Sequence, residues 1–190
     1  TMAQIHADYA KEPNVRFVTF TIDPDRDKLD DLKKYAKTFG ADPDRVVTVP
    51  NGAPAPIAAE LRADLSHRGR HRAGAERYIL SLGTLEPRKD IPSLVRAFDE
   101  LAARDPGLHL VLAGPEGWGA DAVTAAISRA SARSRVRRLG WVDPDEREAL
   151  LAGAAVVASP SLYAGFGPPP LEALAAGTPV VATTAGALPE

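Results

Sequence analysis

Short runs of Val, Ile and Leu alternate along this chain with stretches of helical period, and that alternation leaves few folds open. Continuous apolar strands are buried on both faces, so they require helices above and below a parallel sheet. Strands are predicted at 15–22, 46–49, 78–82, 108–113, 156–159 and 180–183, with a weaker one at 136–139. Helices are predicted between them at 2–11, 27–38, 91–104, 120–132, 144–152 and 170–176. The expected fold class is α/β, a doubly wound, mostly parallel sheet covered on both faces. Gly40, Gly107 and Gly177 follow helical runs where a left-handed residue is wanted, and Asp90 and Asp143 stand where N-caps belong.

A chain of 190 residues buries one sizeable core plus a small appendage, not two full Rossmann-like domains. Residues 53–75 are rich in Pro, Ala, Arg and His with no sustained period, and read as a linker. It separates an N-terminal αβαβ segment, 1–52, from a Rossmann-like domain, 76–190, and the two are able to share one sheet. Basic residues change type across the chain. Lysines 11, 28, 33, 34 and 37 lie early and only Lys89 lies later, whereas most arginines fall between Arg62 and Arg147. A junction of two sources near 40–45 would produce that shift. Thr1 precedes Met2, so the chain reads as a fragment or as an engineered piece.

A formal charge of −2 gives no electrostatic pull toward nucleic acid or an anionic membrane. The absence of cysteine excludes disulfides, thiolate metal sites and thiol nucleophiles. The longest apolar stretch, 149–158, is too short to span a bilayer. A soluble, cytoplasmic protein without metal or cofactor is expected. His67 and His71 are four apart, a metal-ligand spacing on a helix, but neighbouring arginines repel a cation and an exposed linker is the stronger reading. Arg129, Arg133, Arg135, Arg137 and Arg138 read as a solvated face, because no aromatic platform is interleaved with them. Asp23, Asp25 and Asp27 lack the glycine turn and terminal glutamate of a calcium loop.

Three motifs carry chemistry. Gly83-Thr84-Leu85-Glu86-Pro87-Arg88-Lys89-Asp90 follows a predicted strand and opens a helix, where a guanidinium and an ammonium can together offset the charge of a diphosphate. Gly165-Phe166-Gly167 precedes a helix predicted to start near Pro169 or Pro170, so its amides and the helix's positive end are expected to face an anion. Glu172 stands one turn inside that helix. Leu112-Ala113-Gly114-Pro115 and Leu139-Gly140-Trp141-Val142-Asp143 end two further strands, and ligands of open α/β sheets bind outside carboxyl strand ends.

In order and spacing these motifs resemble the donor-binding domain of family 4 retaining glycosyltransferases, enzymes of the two-domain GT-B type, over residues 44–190. The resemblance implies a nucleoside-diphosphate sugar as ligand, with Gly83, Thr84, Arg88 and Lys89 at the diphosphate. It also implies Gly165, Phe166 and Gly167 near sugar and phosphates, Glu172 on the ribose, and backbone near Val142 at the base. The sequence departs from the pattern at two positions. Ala164 stands where the family carries the first glutamate of its E-x7-E block, near the transferring sugar. One charge-assisted hydrogen bond is worth roughly 1.5–3 kcal/mol, so its loss from a transition state costs on the order of 10–100-fold. Pro168 replaces a leucine and removes an N–H. Only Arg45 to Gly52 resembles the crossover toward an acceptor-binding domain. The expectation is a nucleotide-sugar-binding protein without turnover and without catalytic residues; the alternative is an active hexosyltransferase using a UDP-, GDP- or ADP-sugar.

The first 45 residues resemble a different family, the Sco/SenC copper chaperones of thioredoxin-like fold, through the segments from Asn14 to Asp27 and from Leu32 to Asp42. Copper chemistry does not transfer, since the chain has no cysteine, and Lys28-Leu29 replaces the usual Thr-Pro. The whole reads as a recombinant in which a βα unit of one α/β fold supplies sheet elements to another.

Overall fold

The computed structural model describes residues 54–186 continuously, together with 8–9, 14, 29–38, 40, 52 and 188. The chain divides into two compact units, Thr1–Gly52 and Ala53–Glu190. In the first, helix α1 (Leu29–Thr38) lies inside the predicted 27–38 helix, with Asp30 and Asp31 in its first turn and Lys37 in its last, as the helix dipole favours. The predicted helix 2–11, the strands 15–22 and 46–49, and the crossover at Arg45 to Gly52 lie outside the described residues or nearly so.

The second unit opens with helix α2 (Ala59–Ala73), followed by β1 (Arg77–Leu82), α3 (Ile91–Arg104) and β2 (Leu108–Ala113). After these come α4 (Ala120–Arg129), β3 (Val136–Gly140), α5 (Pro144–Gly153), β4 (Val156–Ser159), α6 (Pro168–Ala175) and β5 (Val180–Ala182). All five strands are parallel, in the order β3-β2-β1-β4-β5. Strands β2 and β4 and helix α3 have the bounds predicted from sequence.

Alternation along the strands builds two cores. Ile79, Leu110 and Leu112 face α3 and α4, packing with Leu94, Val95, Phe98 and Val123. Tyr78, Leu80, Val111 and Val157 face the other way, against Leu150 and Leu151 of α5 and Ala173 of α6. Tyr78 is fully buried, and its hydroxyl donates to the Leu150 carbonyl at 2.7 Å. That burial pushes its ionisation far above the usual tyrosine range.

Helix α2 corrects the predicted linker. Its buried positions are Leu65, Gly69 and Ala73, a face of helical period made largely of small residues, and it packs with Ala149 and Ala152 of α5. A Cβ at Gly69 would fall on the carbonyl oxygen of Ala149, and one at Gly153 would sit 2.8 Å from the Ser66 carbonyl oxygen. The two helices therefore approach at backbone distance. His67 and His71 are exposed on α2, not on a loop, and among the described residues no group of three or more metal-ligating side chains is placed to hold an ion.

Other details shift with the physics of their neighbours. Gly40 and Gly177 take the expected left-handed conformation, with φ of 71° for each, but Gly107 does not, because α3 ends on an extended Asp105. Asp143 caps α5 in a full capping box with Glu146, accepting from the Glu146 amide at 2.8 Å. Arg135 is not part of a solvated face. Its guanidinium donates to the carbonyls of Ala102, Asp105 and Leu108 and closes the end of α3.

Candidate functional site

The strand order reverses between β1 and β4, and their carboxyl ends carry the loops at Gly83 and Pro160, at the switch point of a doubly wound sheet where ligands of such folds bind. The loops there are laced together by backbone. The Gly83 amide donates to Ala113 at 2.9 Å, Leu85 to Pro115 at 3.0 Å, and Gly114 to Gly140 at 2.7 Å. Gly114 has φ of 148°, and a Cβ there would fall on the Gly83 carbonyl, so only glycine lets the loops after β1 and β2 meet this closely. Thr84 lies beside Gly117, whose Cβ would sit 2.7 Å from the threonine methyl.

Arg88 and Lys89 occupy a 3-10 turn, Pro87–Lys89, just before α3. The Leu162 amide, on the loop after β4, donates to the Arg88 carbonyl at 2.7 Å, and Arg88 Nη1 reaches the Tyr163 carbonyl at 3.5 Å. The cationic motif and the glycine-turn motif are thus brought together, though far apart in sequence. Lys89 lies over Gly83, where a Cβ would meet its Cε at 3.3 Å. Burial holds the Lys89 ammonium below the usual lysine range, and the adjacent Arg88 guanidinium adds to the effect while Glu86 opposes it. Glu86, not singled out in the sequence, pairs with Arg88 at 2.6 Å.

Asp90 stands at the N-cap position of α3, but in a left-handed conformation with φ of 44° and without a cap bond to backbone. Its carboxylate takes the Ser93 hydroxyl instead, at 2.6 Å. Among the described residues it is the one non-glycine with positive φ, and it adjoins Lys89, where backbone strain commonly gathers at a ligand site.

The turn at Gly165 to Gly167 leads into α6, whose N-cap Gly167 has φ of 80°. The helix starts at Pro168, earlier than the sequence suggested, so Pro168, Pro169 and Pro170 fill its first three positions. Proline is tolerated there because those N–H groups have no helical partner. It also removes them as donors, so the helix end supplies an anion far less than expected. Backbone donors must come from Gly165, Phe166 and Gly167 themselves. Ala164 is buried at 4% exposure, and the backbone of Gly186 crosses against its carbonyl. No carboxylate stands at that point of the turn.

Glu172 projects from α6 and forms an ion pair with Arg147 of α5, with both side chains partly exposed at 25% and 38%. Sequence reasoning missed Arg147; its helix was predicted, but nothing in the spacing tied it to Glu172. Val142 is half-buried, packs on the core and follows the carboxyl end of β3 by two residues. Arg138, on β3 itself, pairs with Glu116 at 2.5 Å.

Residues 64–190 match the family model of glycosyl transferases group 1, and residues 1–67 match that of SCO1/SenC, which runs past the junction read at 40–45. The chain is 38% identical over 117 residues to the O-antigen chain mannosyltransferase B of Escherichia coli, covering 60% of this chain and 30% of that one. It is 34% identical over 171 residues to a D-inositol 3-phosphate glycosyltransferase of Nocardia farcinica, covering 84% and 37%. Among solved structures, Anabaena Alr3699/HepE in complex with UDP and glucose matches at a TM-score of 0.58 and 22% identity, over 83% of this chain and 43% of that one. The chain therefore spans well under half the length of these proteins. The structural likeness bears out the Rossmann-like half of a GT-B fold. Among the described residues no helix is long and apolar enough to cross a membrane.

Proposed function

The chain belongs to the group 1 glycosyl transferases, and from that premise we propose that it binds the nucleoside diphosphate part of a nucleotide sugar at the β1/β4 crevice without transferring the sugar. The observation that carries this reading is the Leu162–Arg88 bond, which joins the cationic turn to the glycine turn at the switch point. A diphosphate held there meets Arg88 as a fork and Lys89 as a point charge, and the amides of Gly165 to Gly167 supply neutral donors. Glu172 accepts from the ribose hydroxyls, and backbone at Val142 lies at the base. That a solved relative by fold carries UDP and glucose supports the ligand class.

Transfer is a different matter. A retaining reaction develops positive charge on the sugar and a charge on the leaving diphosphate, and only interactions that strengthen in the transition state accelerate it. Buried Ala164 offers the sugar neither a hydrogen bond nor a compensating charge, and the three prolines remove donors on the diphosphate side. The likeness of residues 1–67 to SCO1/SenC supports reading the chain as a recombinant of two α/β families.

Calorimetric titration with UDP, GDP and ADP tests the binding half, comparing the wild type with Arg88→Ala and Glu172→Ala. Binding of one nucleotide, weakened in both variants, is expected, and no binding by the wild type overturns the reading. Release of free UDP from UDP-glucose or GDP from GDP-mannose tests the other half. Diphosphate release above the uncatalysed rate would contradict it.

A further inference from the structure

Arg147 sits at the fourth position of α5, whose start is pinned by Pro144 and by the Asp143–Glu146 capping box. Its amide donates to the Asp143 carbonyl at 2.9 Å, so its Cα is fixed relative to Val142, two residues past the end of β3. From there its Nη2 is in ion-pair contact with Oε2 of Glu172, and both that oxygen and the arginine's Nε are buried without a hydrogen-bond partner. Other arginines nearby have their own carboxylates: Arg72 pairs with Glu146 at 2.5 Å and Arg70 with Glu76 at 3.4 Å. Arg147 is thus committed to Glu172.

We infer that Arg147 is a positioning residue for ribose recognition, which does not touch the nucleotide but holds the Glu172 carboxylate in one orientation. The inference rests on the proposed nucleotide site. A glutamate on a helix has several free torsions, and ordering it only when ligand arrives costs affinity. Arg147 orders it during folding, so a ribose hydroxyl meets an acceptor already in place. Because Arg147 is anchored five residues beyond Val142, the base end of the site and the ribose end are set by one short helix start.

A mere structural tie between α5 and α6 makes a different prediction. It affects every ligand alike, whereas a positioning role affects only ligands that carry ribose hydroxyls. Titrations of the full chain with UDP and GDP and with their 2′,3′-dideoxy counterparts separate the two. For the nucleotide that binds, the wild type is expected to favour the ribose form by about tenfold or more. In Arg147→Ala that preference falls to within about threefold of unity, and Arg147→Lys retains an intermediate value. In an Arg147→Ala, Glu172→Ala double variant the preference is no lower than in either single one. If Arg147→Ala fails to fold, Arg147→Lys and Arg147→Met carry the same comparison. An unchanged preference in all folded variants overturns the inference and leaves the nucleotide site standing. A wild type that binds none of the probes overturns the site, and the inference with it.

Discussion

The amide of Leu162 donates to the carbonyl of Arg88 at 2.7 Å, so the loop after β4 is fastened to the loop after β1 where the order of the described strands reverses. This bond sets the distance between the cations and the glycine turn without using either guanidinium or ammonium. The Arg88 guanidinium is paired with Glu86 instead, a partly exposed pair of the kind worth about 0–1 kcal/mol.

Glu86→Gln should therefore raise UDP or GDP affinity, by about two- to fivefold, because the diphosphate no longer competes with a carboxylate. Arg88→Ala should lower it by about tenfold or more. Calorimetry on the two variants reads both effects with opposite sign.

Lys89 gives the site a pH dependence. Burial first, and Arg88 second, hold its ammonium below the ordinary lysine range, so it loses its proton at lower pH than an exposed lysine. The protonated form binds the anion. Affinity for the diphosphate should fall as pH rises toward the usual lysine value, and binding in alkaline buffer should take up protons. Lys89→Arg should flatten that dependence, since a guanidinium stays charged throughout. A pH series that is the same in both proteins would remove Lys89 from the site.

The crossing of α2 over α5 depends on Gly69, whose missing side chain leaves room for the Ala149 carbonyl. Gly69→Val should destabilise the fold by about 1–3 kcal/mol or more through overpacking. Gly107→Ala, at a glycine with only an ordinary contact and no positive φ, should change stability by no more than about 0.5 kcal/mol. Urea denaturation midpoints compare them.

Asp99 on α3 ties down the start of the segment after α4, accepting from the Ala132 amide at 2.7 Å and the Ser131 amide at 3.0 Å. Those bonds, with the Ala132 bond foremost, hold its pKa below the ordinary aspartate value. A lowered folded-state value means stability that is fully present above the unfolded value and lost as pH falls through the folded one. Asp99→Asn should accordingly be less stable than the wild type near neutral pH, and the gap should close below about pH 4. Melting curves across that range are the check.

Much of this was legible in the chain, and the exceptions have physical reasons. Strand β2, LHLVLA, and helix α3 could be bounded exactly, because their apolar periods of two and of helical spacing use large side chains. Helix α2 hides its period, since its buried face is Leu65, Gly69 and Ala73 and the rest is arginine, histidine and acid. Gly83 and Gly167 were readable as glycine positions, because both take a positive φ that other side chains rarely adopt. Arg147 was not readable, because an ion pair between elements is a product of packing and leaves no local spacing; Glu86 lies two residues from Arg88 inside the motif, and its pairing was not read there. The helix expected to start near Pro169 or Pro170 starts at Pro168, so all three prolines lie in its first turn, where a missing N–H has no structural penalty.

The central claim is that a nucleoside diphosphate sits at the β1/β4 crevice, and a titration of the isotope-labelled protein with UDP and GDP, followed by amide NMR, tests it most directly. The account predicts progressive shifts at Gly83, Thr84, Lys89, Gly165 and Gly167 for the nucleotide that binds. Shifts confined to other surfaces, such as the α2–α5 groove at His67 and His71, or no shifts at all with either nucleotide, would contradict it.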